Sequence, residues 1–424
     1  MAEQNLSAPL SLFVRVEIDC NVVYNSIGFL YFVQRDNKIL KKGSAVMEKK
    51  KVLFTATVVK QHIMTFHVPY LQMFQEMGWE TAVAGANDYD DPSELNIPYC
   101  DTYYEIPFER SPWKVGNLRA YRQLKKIIED GHFDIIHCHT PVGAMITRLA
   151  AVGARKQGTK VVYTAHGFHF HKGSSLVSWL AYYPVEWALA HLTDVLLTMN
   201  REDYALAKKR MHAKRVEYVP GVGIDTTRFL GHRDDRQETR KELGFNPDDF
   251  LILTVAEMNK NKNQAMVLRA MALLKENEAF SNMKYLICGM GAYETELRRQ
   301  AGELGIEDHV FFMGYRKDIP RMHRACDLFV FLSYREGLPV ALMEAMSSGM
   351  PTVCSAARGN TDLIEDGKEG LIVKNEPGAV AEAILKLYHD ADLRRRFGTA
   401  AREKVQQFDR VNVHRIMKNI YLSL

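Results

Sequence analysis

Ser333–Pro351, SYREGLPVALMEAMSSGMP, reads as the end of a strand, a tight glycine turn and a helix of two to three turns. The helix is expected to start at Pro339 and stop at Gly349, with Pro351 beyond the stop. Proline suits a helix start, where its missing N–H has no partner to lose, and glycine suits the left-handed residue that closes one. Glu336 lies in the turn and Glu344, eight positions on, in the helix. The free N–H groups and positive dipole end of such a start hold anions. Nearby carboxylates accept hydrogen bonds from hydroxyls, so a ligand with both phosphate and sugar suits the pair. An acid at a helix start and another on its flank are also ordinary helix design, so the neighbouring segments have to decide.

Outward from this stretch, short apolar strands alternate with amphipathic helices. Upstream lie strand Phe250–Val255, helix Gln264–Glu276, strand Lys284–Cys288, helix Glu294–Leu304, strand Val310–Met313, helix Ile319–Ala325 and strand Leu328–Leu332. Strand Thr352–Ser355 follows. The same alternation runs earlier through strands Val52–Val59, Glu80–Gly85, Ile135–His139, Lys160–Thr164 and Val195–Met199. That pattern predicts an α/β chain with two doubly wound parallel sheets, each covered on both faces. Pro220-Gly221-Val222-Gly223 marks the boundary between residues 47–220 and 221–400, and residues 401–424 are expected to be a helix packing back across the hinge. Residues 1–46 do not match the rest and are expected to be an upstream extension outside the fold.

Ligands of doubly wound sheets sit beyond the carboxyl ends of the strands. At that edge of the second sheet, Gly289-Met290-Gly291 forms a strand-to-helix turn, Lys260 and Lys262 follow a strand, and Gly314-Tyr315 follows another. Each alone is a plain turn or solvated charge; together they offer loops of a type that grips a diphosphate. At the first sheet's edge lie Lys60–Phe66, His137–Pro141 and His166–His171. His166, His169 and His171 alternate with aromatic residues, but no carboxylate or cysteine completes a metal set, so no metal is expected.

The 424 residues suffice for two domains, and the net charge of +4 is too small for a nucleic-acid binder. Six cysteines without a CxxC pair fit a reduced, cytoplasmic compartment, and neither a spanning helix nor a secretory signal is recognisable.

The stretch EGLPVALMEAMSSGMP with Glu336 and Glu344, the GMG and FMGY turns upstream, and Gly359 and DGKEGLIV at 366–373 downstream resemble the retaining nucleotide-sugar glycosyltransferases of family 4. The resemblance spans about Lys50 to Leu424 and is nearest to bacterial enzymes that extend exopolysaccharide, capsule or O-antigen units on a lipid carrier. It implies the two-domain GT-B fold, needing no metal or other cofactor, and transfer of a hexose from a nucleoside diphosphate sugar, UDP-linked by the family's habit, to a lipid-linked saccharide. Glu336 would then bond donor sugar hydroxyls, with Gly337 and Leu338 offering N–H groups. Glu344 would hold the ribose, Lys262 the diphosphate, Gly289, Gly291, Gly314 and Tyr315 the nucleotide, and His166 the reacting sugar. The family arginine five positions before the lysine is Glu257 here, which removes one positive charge. The family's glycine-rich first loop is replaced by Val59–His67, which makes Lys60, His62 and His67, with His169, candidates for acceptor recognition.

For the lipid carrier, the sequence offers the basic face Arg119, Arg122, Lys125 and Lys126 beside Trp113, and the aromatic run Trp179, Tyr182, Tyr183 and Trp187. A solvated face and core packing are their plainer readings. Peripheral contact with anionic lipid would put the protein at the inner face of the plasma membrane. A nucleotide-sugar 2-epimerase and a non-catalytic sugar-nucleotide binder are the alternatives on the same architecture.

Overall fold

The computed structural model describes residues 49–109, 111, 112, 114–230 and 235–424. The expected extension 1–46 and the proposed anchor Trp113 lie outside them. Lys51–Val58 (β1), Glu80–Ala86 (β2), Thr102–Glu105 (β3), Ile135–Cys138 (β4), Lys160–Ala165 (β5), Val195–Thr198 (β6) and Arg215–Tyr218 (β7) form one sheet, in the order β3-β2-β1-β4-β5-β6-β7. Phe250–Val255 (β8), Met283–Cys288 (β9), Val310–Gly314 (β10), Leu328–Phe331 (β11), Thr352–Ser355 (β12) and Gly370–Val373 (β13) form the second, in the order β10-β9-β8-β11-β12-β13. All recorded pairings are parallel. The central strands are buried along their length, VLFTAT in β1 and LFVF in β11, because both faces are covered.

The strand order reverses between β1 and β4 in the first sheet and between β8 and β11 in the second. At such a point the loops leaving neighbouring strands diverge to opposite faces and open a crevice. The loop after β1 is a π-helical turn, Val59–Ile63, continued by Met64–Phe66, and β4 leads into His139 and Thr140. The loop after β8 carries Asn259–Asn263, and the one after β11 carries Ser333–Leu338. These four segments build the site described below.

The chain passes between the sheets twice, side by side. Ile224 N–H donates to Phe408 O at 3.1 Å, and Arg410 N–H donates to Ile224 O at 2.8 Å. Ala401, Val405 and Phe408 are buried with Leu251, Phe329 and Met343 of the second domain. Val413, Met417, Ile420 and Tyr421, on helix Arg410–Leu422, are buried with Val52, Phe54 and Phe74 of the first. Among the described residues no helix is long and apolar enough to cross a membrane.

Candidate active site

The helix that opens the sequence reading is Val340–Ser347, capped by Pro339 and Ser348, with Gly349 at a φ of +70°. Before it, Gly337 and Leu338 present N–H groups for which the described residues offer no acceptor. Gly337 is a glycine because a Cβ there would collide with the His166 carbonyl oxygen, so the two domains meet backbone to backbone at this turn.

The Lys262 loop is bound to the same turn. Asn261 Nδ2 donates to Arg335 O at 3.0 Å and Tyr334 N–H to Asn261 O at 2.9 Å. Asn263, in the left-handed region at φ +56°, donates through Nδ2 to Leu332 O at 3.2 Å. Lys262 Nζ then reaches Glu336 Oε1 at 2.7 Å and sits 5.1 Å over the Phe331 ring. Both side chains are largely withdrawn from water, 22% and 10% exposed, so the pair is held in one geometry.

Opposite lies the first domain. A cavity of about 310 Å³ is lined by Thr140, Tyr163, His166, His169, Arg335, Glu336, Gly337 and Arg358, among others. Arg358 ties its two walls together: Nη1 donates to Asp203 Oδ1 at 2.6 Å, Nη2 to Phe168 O at 2.7 Å, and Nε to Glu336 O at 3.0 Å. Arg335 makes no ion pair among the described residues. Both arginines line the cavity, whereas Glu257 does not. Glu257 itself is exposed, and Lys260 is exposed with its charge felt by Glu296.

Glu344 lies away from this cavity. Its carboxyl is pushed up to about 7 by burial, partly offset by Arg228, whose guanidinium also donates to Lys317 O at 3.3 Å. Glu344, Arg228 and the loop after Gly314 thus share one corner, with Tyr315 exposed beside it. The Gly289 and Gly291 positions meet a packing need: a Cβ at either would collide with Ala256 or Met258 backbone, and Gly289 N–H donates to Gly314 O at 2.8 Å. These glycines let the loops after β8, β9 and β10 stack against one another.

Of the acceptor-side candidates, Lys60 turns elsewhere, to Asp90 at 3.7 Å and the Tyr89 ring at 4.8 Å. His169 stacks on Tyr182 with ring centres 4.7 Å apart, and His171 Nδ1 lies 2.9 Å from Lys172 O, so the 166–171 alternation does not converge. His166 instead joins His62, His67 and His139. Burial holds His67, His139 and His166 well below the usual imidazole range and His62 at about 4, so all four are neutral at pH 7.

Residues 235–404 match the family described as "Glycosyl transferases group 1", and residues 70–221 the one described as "Glycosyl transferase 4-like domain". Over 375 residues the chain is 41% identical to "Putative glycosyltransferase EpsD" of Bacillus subtilis (strain 168), covering 88% of this chain and 96% of that one. The chain belongs to the family 4 glycosyltransferases. It is also 25% identical over 315 residues to the Escherichia coli UDP-Gal:alpha-D-GlcNAc-diphosphoundecaprenol alpha-1,3-galactosyltransferase, covering 73% of this chain and 80% of the relative. Anabaena Alr3699/HepE, solved in complex with UDP, shares the fold with a TM-score of 0.72 at 21% identity, over 89% of this chain and all of that one. The two parallel-sheet domains are those of the GT-B fold.

In this glycosyltransferase, sequence reasoning missed Arg335, Arg358, Asp203 and His139. Arg358 immediately precedes the quoted Gly359, and His139 stands in a strand-end loop already marked for ligand contact, but neither loop reveals its distant partner. Glu344 carries a testable consequence. Glu344 keeps its proton up to about pH 7 in the folded protein but loses it near the ordinary 4.5 in the unfolded chain, so the group lowers stability progressively as pH rises between the two. Glu344→Gln is therefore expected to match wild type near pH 4.5 and exceed it by about 1–3 kcal/mol at pH 8. The resemblance's assignment of Glu344 to the ribose predicts an affinity for UDP about tenfold lower. Thermal unfolding at both pH values and calorimetric UDP titration read the two effects.

Proposed function

We propose that this glycosyltransferase moves a hexose, with retention, from a UDP-sugar to a lipid-linked saccharide in exopolysaccharide synthesis. The observation that carries this reading is the Lys262–Glu336 pair, held beside the unpaired Gly337 and Leu338 N–H groups and facing His166 across the cavity. An ammonium, two arginines and a helix start converge on the place where a departing diphosphate would gather charge, while Glu336 can accept from sugar hydroxyls. The printed names of the relatives support the ligands: UDP for the Anabaena protein, and UDP-Gal with a diphosphoundecaprenol-linked sugar for the Escherichia coli enzyme.

No carboxylate is assigned as a nucleophile beneath the anomeric carbon, so the double displacement of retaining glycosidases is not invoked. The acceptor oxygen approaches the face from which the diphosphate leaves. Its bond to the anomeric carbon forms as the bond to the β-phosphate oxygen breaks; that oxygen keeps the electron pair and takes the acceptor proton. Lys262, Arg335 and Arg358 offset the charge on the leaving group, and His166 lines the sugar's side of the cavity. Product made from an α-linked donor should have the α configuration by NMR; a β product would rule out this geometry.

The acceptor side has an apolar character suited to a lipid. A second cavity of about 860 Å³ is lined by His62, Met145, Phe168, Phe170, Ala181, Tyr182, Val185 and other residues of the first domain. Beside it, helix Leu176–Ala190 turns Leu176, Val177 and Leu180 to solvent at 74–80% exposure, with Trp187 partly exposed. Trp179 and Tyr183 do pack on the core, as the plainer reading of that aromatic run had it, but Tyr182 and Trp187 stand outside. Exposed aliphatic side chains at a cavity mouth fit an interfacial helix. Replacing Leu176, Val177 and Leu180 together by serine should abolish co-flotation with anionic vesicles while leaving transfer to a short-chain acceptor within about threefold of wild type. Undiminished flotation would move the lipid contact elsewhere.

A further inference from the structure

Six ring nitrogens of His62, His67, His139 and His166 are buried without a hydrogen-bond partner: Nε2 of His62 and His166, and both nitrogens of His67 and His139. Each unpaired buried polar group costs about 1–3 kcal/mol, so such a concentration calls for a missing partner. Water supplies at most part of it. The void lined by His67, His137 and His139 holds about 10 Å³, room for about one water molecule.

The arrangement of the rings indicates what the partner is. One candidate ligand nitrogen from each histidine lies within 4.8 Å of the other three. Ring centres are 4.7–5.6 Å apart for His62–His166, His62–His67, His62–His139 and His139–His166, with His67–His139 closer at 3.7 Å and His67–His166 wider at 6.1 Å. Four imidazoles on a tetrahedral ion with bonds of about 2.0–2.1 Å have their nitrogens about 3.4 Å apart and their centres about 5.2 Å apart. The observed spacings fall on both sides of that value, and the stacked His67 and His139 rings would have to separate by about 1.5 Å to meet it.

We propose that His62, His67, His139 and His166 form a tetrahedral site for a first-row transition ion of the zinc(II) class. The four ligands leave the ends of β1, β4 and β5, neighbours at the switch point of the first sheet, so one ion would pin three loops together. An all-imidazole set suits zinc, copper or nickel and disfavours magnesium or calcium, which take oxygen ligands. A fifth histidine marks the boundary: His137 Nδ1 is 2.6 Å from the Tyr421 hydroxyl and Nε2 is 2.7 Å from Thr164 Oγ1, which leaves it no nitrogen to offer. The role is structural, holding His166 at the cavity wall, and differs from the expectation of no metal because the ligands come from three separated segments and not from the 166–171 run.

The test uses the untagged full-length chain, stripped with chelator and titrated with Co(II), whose tetrahedral complexes absorb strongly in the visible. Wild type is expected to bind about one equivalent with a Kd below about 1 µM, to lose the absorption when zinc is added, and to retain about one zinc per chain after dialysis. His67→Ala/His139→Ala should lose uptake at least a hundredfold, and His171→Ala should keep it. Wild type that shows no one-equivalent uptake overturns the site whether or not the variants fold. A double variant that binds as wild type does also overturns it. Neither readout depends on transfer activity, so failure of the metal site is distinguishable from failure of the proposed reaction.

Discussion

Lys262→Met is expected to lower kcat by about 10²–10³-fold while the donor KM moves only a few-fold. The ammonium is bound to Glu336 at 2.7 Å, so the fold itself fixes its position. Preorganised charge of this kind is worth most in the transition state, where the diphosphate gains negative charge, and less in the ground state, where the same group is better solvated. Lys262→Arg should recover little, because a planar fork cannot sit where a compact ammonium lies over Phe331 and against Glu336. Steady-state kinetics against donor concentration give both constants. An unchanged kcat would remove Lys262 from the chemistry and leave it as a support for Glu336.

Arg358→Met is expected to have the second large effect, through the contact between the domains. Asp203 is fully buried, and its remaining donors would be Asn200 Nδ2 at 2.8 Å and Phe168 N–H at 3.0 Å. Removing the guanidinium strands that carboxylate at a cost of about 3–5 kcal/mol. Even with Arg358 present, burial holds the Asp203 carboxyl above its usual range, which shows how much the pair depends on its partner. The variant should lose most of its activity, because the Phe168 and Glu336 carbonyls are no longer held by one side chain. Arg358→Met with Asp203→Asn should regain at least half of the lost thermal stability by removing the stranded charge, but little of the activity. If the double variant is as unstable as the sum of the two single ones, the pair is not coupled in this way.

The fold was legible where burial on both faces makes a strand plain. Leu328–Phe331 and Thr352–Ser355 are four-residue strands with every residue buried, and both were readable from apolar runs. Thr102–Glu105, Arg215–Tyr218 and Gly370–Val373 were not: each is an edge strand with one neighbour, the first two carry charged residues, and the apolar run of the third was not read as a strand. In the site, Lys262 and Glu336 were each marked at the strand ends, but their ion pair was not foreseen. Arg358 and Asp203 are 155 positions apart, and nothing local to either predicts the other. His67 is a candidate for acceptor recognition in the sequence because its loop replaces the family's glycine-rich one, yet the π-helical turn after β1 folds it inward, where it is 1% exposed. Pattern reading places a residue on an edge; it does not tell which way a compact turn points it.

The most direct test of the central claim is a panel of nucleoside diphosphate sugars incubated with the enzyme and a diphospholipid-linked saccharide, following nucleotide release and product mass together. The account predicts that one UDP-hexose releases UDP only when acceptor is present, and that the acceptor gains the mass of one hexose for each UDP released. Nucleotide release that ignores the acceptor, or a donor recovered as its epimer, would contradict it.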